Sequence, residues 1–458
     1  MTTMYCARWV LPIASGMIED GAVAVEDARI AGVDTRLELT KRFPHFKLQD
    51  YGEAAILPGL VNAHSHLELT LMRGFLEREE TNFFEWLRKL TVTRMERMTA
   101  DDLYVSAAWG AIEAARAGVT SLGDASDAAQ ASMKAVRDVG LRANVYKEVF
   151  GPDEKLAREQ LVKLQERVSI LREMETPLVR VGVSPHAPYT VSRKLIELVT
   201  QYALAENLPV MMHAAESVHE AALMRDGTGL FAESLKRRGI EWRVPGVSTI
   251  QYLASAGALQ TKPLLAHCIT VDDADIELLR ESGARVAHCP KSNLKLFHGR
   301  APLAGFLEKK LTVGFGSDSV ATNNTCDMLE EARIALLLTR MDKTSEASPE
   351  QTVTAEDALQ IVTQGGARAL GWDKRTGALS LGLDADLTII QLDGAHQLPV
   401  HDVAAALVFA SSGRDVRLTV VAGREIYRDG QMLTVDEERL RARVKEIAVK
   451  MRGSQRRN

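Results

Sequence analysis

Cysteine is scarce. Four occur in 458 residues, at Cys6, Cys268, Cys289 and Cys326, and no two form a Cys-x-x-Cys pair. That excludes a disulfide framework, and the four read as small buried apolar residues. Cys268 and Cys289 each directly follow a histidine, which leaves a place at a pocket wall or a nucleophilic role open for them. An excess of positive charge is also missing. Lys and Arg number 56 against 61 Asp and Glu, a net charge of −5. No basic stripe exists beyond the short tail 452–457, which argues against a nucleic-acid partner. There is no apolar run of 18 residues, so no membrane span is expected. The opening MTTMYCARWVLPIASG lacks the charged and apolar blocks of a secretory leader. A cytoplasmic protein is the expectation. Internal repeats and low-complexity linkers are absent too. What is present is 46% hydrophobic residues, enough for a large buried core.

Eight short apolar runs follow an N-terminal segment, at 55–61, 119–122, 143–149, 178–183, 208–212, 263–266, 284–287 and 311–315. The stretches between them mostly read as helices. One starts at Thr99 as N-cap with Asp102 three residues on, and ends near Gly118. Another is the charged stretch 154–174. A third follows Asp272, with Leu278 and Leu279 on an apolar stripe and Gly283 near its end. Strands alternating with helices predict an α/β chain with a parallel sheet, and eight units predict a (β/α)₈ TIM-like barrel over 55–370. Residues 1–54 and 371–458 differ. Short alternating stretches broken by turn residues predict a small composite β-sandwich built from both ends, followed by a charged surface helix over 437–452.

The strongest chemical signal is Asn62-Ala63-His64-Ser65-His66. Side chains at i and i+2 on a strand share a face, so both imidazoles can meet one metal. Alone, such a pair is as often incidental. Its company changes that reading. His213 follows the fifth run, His267 the sixth and Asp318 the eighth, so all five groups fall at the strand ends where barrel active sites form. Three nitrogens and a carboxylate suit Zn²⁺ or Fe²⁺. Glu216, three residues after His213, is not needed as a ligand. It is placed as a general acid/base, against the plainer role of a first-turn glutamate on a helix dipole. His186 follows the fourth run and reads as a substrate contact or a satisfied loop histidine. His219 and His298 carry no clear assignment. His288 ends the seventh run, and core or supporting roles suit it equally. His45, His396 and His401 fall in the terminal β segments and read as structural or exposed.

These residues lie in PGLVNAHSHLELT (58–70), SPHAPYTVS (184–192), HAAES (213–217), LLAHC (264–268), HCPKSN (288–293) and GSDS (316–319). With GLDADLTII (382–390) near the C-terminus, the chain resembles the amidohydrolase superfamily over nearly its whole length. The likeness is to the cytosine-deaminase-like and adenosine-deaminase-like aminohydrolases. The resemblance implies one divalent metal, Zn²⁺ or Fe²⁺, on His64, His66, His213 and Asp318. It makes Glu216 the proton shuttle, His267 the histidine that orients the attacking water, and His186 a contact to the substrate ring. It also brings Ser319, in GSDS, to the substrate. In such enzymes the metal acidifies its water to a pKa of about 7, Asp318 accepts the water's proton and Glu216 protonates a ring nitrogen. Loss of Glu216 is then expected to be severe.

Binuclear members of the superfamily carry a bridging lysine at strand 4. The run LVRVGVSPH has none, and Lys147 sits on strand 3 as a structural or substrate-side residue. One metal and deamination are therefore implied. The motifs look most like deaminases of S-adenosylhomocysteine and methylthioadenosine. HLELT and HAAES look like 6-aminodeoxyfutalosine deaminases as well. The implied partner is a small nucleoside rather than nucleic acid or membrane, and a homodimer is compatible with the resemblance. One departure stands out. The acidic residue that holds the ribose hydroxyls in those deaminases aligns with Met95, and Glu96, one residue away, is the candidate for that substrate contact. A substrate carboxylate would need a cation, for which Arg73, Arg94 and Arg97 are the candidates. Rival readings are an amidohydrolase of another reaction, on a guanine- or cytosine-type base, a cyclic amide or a triazine, and a non-catalytic scaffold.

Overall fold

The apolar run 55–61, read as one strand, folds as two. Ala54–Pro58 pairs antiparallel with Leu387–Gln391 in a sheet of terminal strands, while Leu60–Ser65 opens the parallel core. Gly59 lies between them. A Cβ there would meet the Thr120 side chain at 2.1 Å, so the junction tolerates only glycine. Both strands are buried throughout, and no polar residue marks the break. The structure, a computed structural model, describes residues 2–341 and 353–453.

Eight parallel strands carry the core. Leu60–Ser65 (β1), Val119–Ser126 (β2), Arg142–Val149 (β3) and Val179–Pro185 (β4) form one four-stranded sheet in that order. Met211–Ala214 (β5), Leu264–His267 (β6), Arg285–His288 (β7) and Thr312–Phe315 (β8) form a second. Every neighbouring pair is parallel. Single parallel bridges, Val183↔Val210 and Ser65↔Asp318, link the two sheets at their outer edges. The arrangement is α/β and TIM-barrel-like. Parallel strands buried on both faces read as continuous apolar runs, which is why all eight were visible in the sequence. Val61, Ala63, Met211, Leu264, Ala287 and Trp372 pack into one inner cluster.

The helices between strands start where their caps dictate. Thr99 accepts from Asp102 N, and Asp102 returns the bond, at the head of Ala100–Arg116. Asp272 and Asp275 do the same for Asp273–Ser282, which stops at Gly283 in the left-handed region. Each such cap contributes about 1 kcal/mol. Ala157–Arg172 follows a short 3₁₀ turn at Glu154–Leu156.

Strands from both ends of the chain share one nine-stranded sheet. Thr2–Val10 lies beside Ala54–Pro58, which borders Leu387–Gln391, and Tyr5, Val23, Ile56, Leu387 and Leu418 join one apolar cluster. A buried charge cluster ties this sheet to the core. Arg142 of β3, fully buried, reaches Asp384 at 2.7 Å and Asp386 at 2.8 Å. The last helix, Glu437–Gly453, is not wholly a surface element: Ile447 and Met451 are buried, and Lys450 pairs with Asp102 at 3.0 Å. Among the described residues no helix is long and apolar enough to cross a membrane.

Candidate active site

The ends of β1, β5, β6 and β8 converge at one mouth. Gly316 makes room for this: a Cβ there would meet His64 Cβ at 2.8 Å. His267 (φ 76°) and Asp318 (φ 56°) sit in the left-handed region. Non-glycine residues rarely hold that conformation, and here it turns both side chains sharply at the strand ends.

Hydrogen bonds to the far ring nitrogens set the histidine tautomers. His213 Nδ1 lies 3.1 Å from the His186 carbonyl, which only accepts, so Nδ1 carries the proton and Nε2 offers a lone pair. His267 Nδ1 meets Asn293 Oδ1 at 2.8 Å, and His64 Nδ1 faces Met211 Sδ at 3.1 Å. The Nε2 atoms then crowd together. His64 and His66 Nε2 lie 3.3 and 3.4 Å from Asp318 Oδ1, and His66 and His213 Nε2 are 3.2 Å apart. The Nε2 atoms of His64 and His267 are buried without a hydrogen-bond partner. Lone pairs facing one another at this range repel unless a cation lies among them. Ligand atoms about 2.0–2.1 Å from a shared tetrahedral centre stand about 3.3–3.4 Å apart, which matches this spacing. His64, His213, His267 and Asp318 also bring ligand atoms within 4.8 Å of one another. The donor set fits a divalent metal.

The electrostatics agree. Burial, then the His64 charge, pushes His66 down to about 4, and burial holds His213 well below its ordinary value. Burial would raise Asp318, yet the His64 imidazole 3.3 Å away and the charges of His267, His64 and His66 hold its carboxyl well below the usual range. Burial works against the charged form of His267, but the carboxylates of Glu216 and Asp318 outweigh it and raise its pKa. Asp318 Oδ2 accepts from Ser292 at 2.5 Å and Thr322 at 3.3 Å, which leaves Oδ1 for the histidines.

Glu216 is held from two sides. Ala215 turns through the left-handed region (φ 52°), and the Glu220 carboxylate accepts the Ala215 and Glu216 amides at 3.0 and 2.9 Å. Glu216 Oε2 accepts from the Tyr189 hydroxyl at 2.8 Å. Its Oε1 lies 3.8 Å from His267 Nε2 and 3.6 Å from His298 Nδ1. These groups open on a cavity of about 550 Å³, with Phe83, Trp86, Leu87, Leu90, Met95 and Phe150 among its apolar walls. His186 and Ser319 line it as well. His186 Nδ1 is bonded to Thr190 at 2.8 Å, and burial, then the charge of His66, lowers its pKa to about 3. Ser319 also caps Val320–Asn323.

The structure therefore gathers His66, His186, His213, Glu216, His267, Asp318 and Ser319 at one cavity, with His64 fully buried behind it, 3.3 Å from Asp318. Glu96 is the exception. It is exposed and outside the lining, whereas Met95 lines it, because one helical residue turns a side chain by about 100°. Of the candidate cations only Arg94 lines the cavity, and Glu68 (3.1 Å) and Asp127 (2.6 Å) neutralise it. Arg73 pairs with Glu113, away from the cavity. Lys147 is bonded to Asp127 at 2.6 Å and does not line the site. His45, His396 and His401 are exposed, and all four cysteines are free and buried. Four groups escaped the sequence reading: Tyr189, Ser292, Asn293 and Glu148. The first three sit inside HAPYT and HCPKSN, beside residues that did stand out. Glu148 had no signal beyond its place at the end of β3, yet its Oε1 is buried and unpartnered, 4.0 Å from His186 Nε2.

Known proteins place this geometry. A 5-methylthioadenosine/S-adenosylhomocysteine deaminase of Nitratidesulfovibrio vulgaris is 32% identical over 440 residues, 94% of this chain and 93% of that protein. The enzyme of the same name from Symbiobacterium thermophilum is 33% identical over 452 residues, covering 96% and 97%. The crystal structure of a zinc-bound adenosine deaminase from Xanthomonas campestris superimposes with a TM-score of 0.84 at 26% identity, over 98% of each chain. Atrazine chlorohydrolase from Arthrobacter aurescens, solved with zinc, shares the fold at 22% identity and a TM-score of 0.84, over 97% of this chain and 100% of that one. Residues 55–426 match the model of the amidohydrolase family, and the chain belongs to that family.

Proposed function

We propose that the chain is a metal-dependent hydrolase that deaminates adenine nucleosides bearing a 5′-substituent, yielding the inosine counterpart and ammonia. The observation that carries this reading is Glu216. It is a carboxyl beside the histidine–aspartate cluster, held by Tyr189 on one oxygen and facing His267 with the other. The relatives named as deaminases of methylthioadenosine and S-adenosylhomocysteine support the substrate class. In this reading the chain from Leu60 to about residue 370 closes into a (β/α)₈ barrel, and the terminal segments, with Ala54–Pro58 among them, make a composite sandwich beside it.

His64, His66, His213 and Asp318 would hold the metal, and zinc is the proposed ion because imidazole and carboxylate donors suit it. When bound, such a metal acidifies water toward neutral pH and so supplies the nucleophile. The chain's residues do the rest. Glu216 delivers a proton to the ring nitrogen next to the amine-bearing carbon, which makes that carbon electrophilic. Asp318 accepts the proton of the attacking water, with Ser292 and Thr322 holding its Oδ2 in place. His267, fixed by Asn293, orients the attacking oxygen. His186 contacts the base from the β4 side. The test is ammonia release by zinc-loaded protein from adenosine, methylthioadenosine, S-adenosylhomocysteine, 6-aminodeoxyfutalosine, guanine and cytosine. Turnover of the adenine nucleosides is expected. Release from guanine or cytosine alone would overturn the substrate class, and no release from any would overturn the reaction.

A further inference from the structure

Tyr189 was not needed to read the reaction, yet it makes the shortest contact to the residue on which the reaction turns. Its hydroxyl donates to Glu216 Oε2 at 2.8 Å. The ring is buried and stacks on Phe231, with centroids 4.1 Å apart and planes 15° from parallel, so the hydroxyl is aimed rather than free to swing. The other carboxylate oxygen, Oε1, has no such bond. It faces His267 Nε2 at 3.8 Å and His298 Nδ1 at 3.6 Å, and the cavity. Both nitrogens are buried and lack hydrogen-bond partners.

We infer that Tyr189 is a positioning residue that divides the labour of the Glu216 carboxylate. It engages Oε2 permanently, so that Oε1 alone takes up and delivers the proton. This rests on the deaminase reading above. The chemistry is a matter of lone pairs. Each carboxylate oxygen carries two lone pairs, but a protonated Oε2 would be a much weaker acceptor for the Tyr189 hydroxyl than an unprotonated one. Keeping that bond therefore favours the transferable proton on Oε1, on the His267 side, within the cavity where the reacting carbon must lie. Without the hydroxyl the carboxyl can rotate and carry its proton on either oxygen, one of which points away from the substrate. Glu220 fixes the backbone at Glu216, so the side-chain rotation is the freedom left for Tyr189 to remove.

The test is Tyr189→Phe, which keeps the ring and its stacking. On the best adenine nucleoside, kcat is expected to fall about ten- to hundred-fold, the usual range for a hydrogen bond to a charged group. KM should stay within about twofold, and metal content and melting temperature should be unchanged. In the Glu216→Gln background the same substitution is expected to add no further loss, since its effect passes through the carboxylate. Full activity in Tyr189→Phe would overturn the inference. So would an equal loss in the Glu216→Gln background, because it points to packing. A wild type that releases no ammonia would overturn the deaminase reading and this inference together. An active wild type with an unaffected Tyr189→Phe would overturn this inference alone.

Discussion

One cavity has two poles, and they treat buried charge in opposite ways. At one pole His64, His66, His213 and Asp318 turn lone pairs toward one another, and the Nε2 atoms of His64 and His267 have no partner. At the other, Arg94 bridges Glu68 and Asp127, and Lys147 closes on Asp127. Removing charged groups from water costs several kcal/mol each unless they are paired. The second pole pairs them and is scaffold. The first does not, and its cost is offset only when a cation arrives. Unsatisfied burial marks the chemistry, and satisfied burial marks the wall. Glu148 is instructive because it sits in the wall with Oε1 unsatisfied, and burial, with the charges of Glu68 and Asp127, raises its pKa well above the ordinary carboxyl value.

Chelation of the metal, or Asp318→Asn, should abolish ammonia release and lower the melting temperature, because repelling lone pairs are left in the core. A chelated protein with unchanged melting temperature and activity would contradict the first pole. Glu216→Gln should cost about 10²–10⁴-fold in kcat with full metal content, measured by elemental analysis beside the rate. Arg94→Met attacks the second pole. It leaves the carboxylate of Glu68 buried without its cation, so stability should fall by about 3–5 kcal/mol in denaturant unfolding, more than the rate per folded molecule falls. If instead KM rises only for substrates with a carboxylate, Arg94 is a binding residue and not scaffold.

The fold also carries a pH dependence. Burial, and then the His267 charge, lowers His288 to about 3, while burial, then His66, does the same for His186. A histidine whose folded value lies below its unfolded value near 6.5 binds fewer protons when folded. Its contribution is present above about 6.5 and is lost as pH falls toward 3, at up to about 1.4 kcal/mol per unit for each group. Thermal melts from pH 7 down to pH 4 should show that slope, and His288→Asn should flatten it.

Most of the site was legible in the sequence because strand ends are. Each ligand fell within five residues of the end of an apolar run, and parallel strands buried on both faces write such runs plainly. What could not be read depends on three-dimensional pairing. Nothing local to Arg94 announces that Glu68 and Asp127 consume its charge. Glu96 and Met95 differ by one residue in the chain but by about 100° around a helix, which decides which one meets the cavity. The break at Gly59 was hidden because two fully buried strands on either side share one composition. Tyr189 and Asn293 lay within motifs that had been singled out, but their roles rest on hydrogen bonds to residues 27 and 26 positions away.

The proposed deamination turns on the proton that Glu216 carries at the unsatisfied pole. The most direct measurement compares ammonia release from methylthioadenosine and adenosine by wild type and Glu216→Gln at matched metal content. Rapid release by the wild type with a loss of at least a hundredfold in the variant is the predicted result. Equal rates, or a metal-replete wild type that leaves both nucleosides intact, would contradict it.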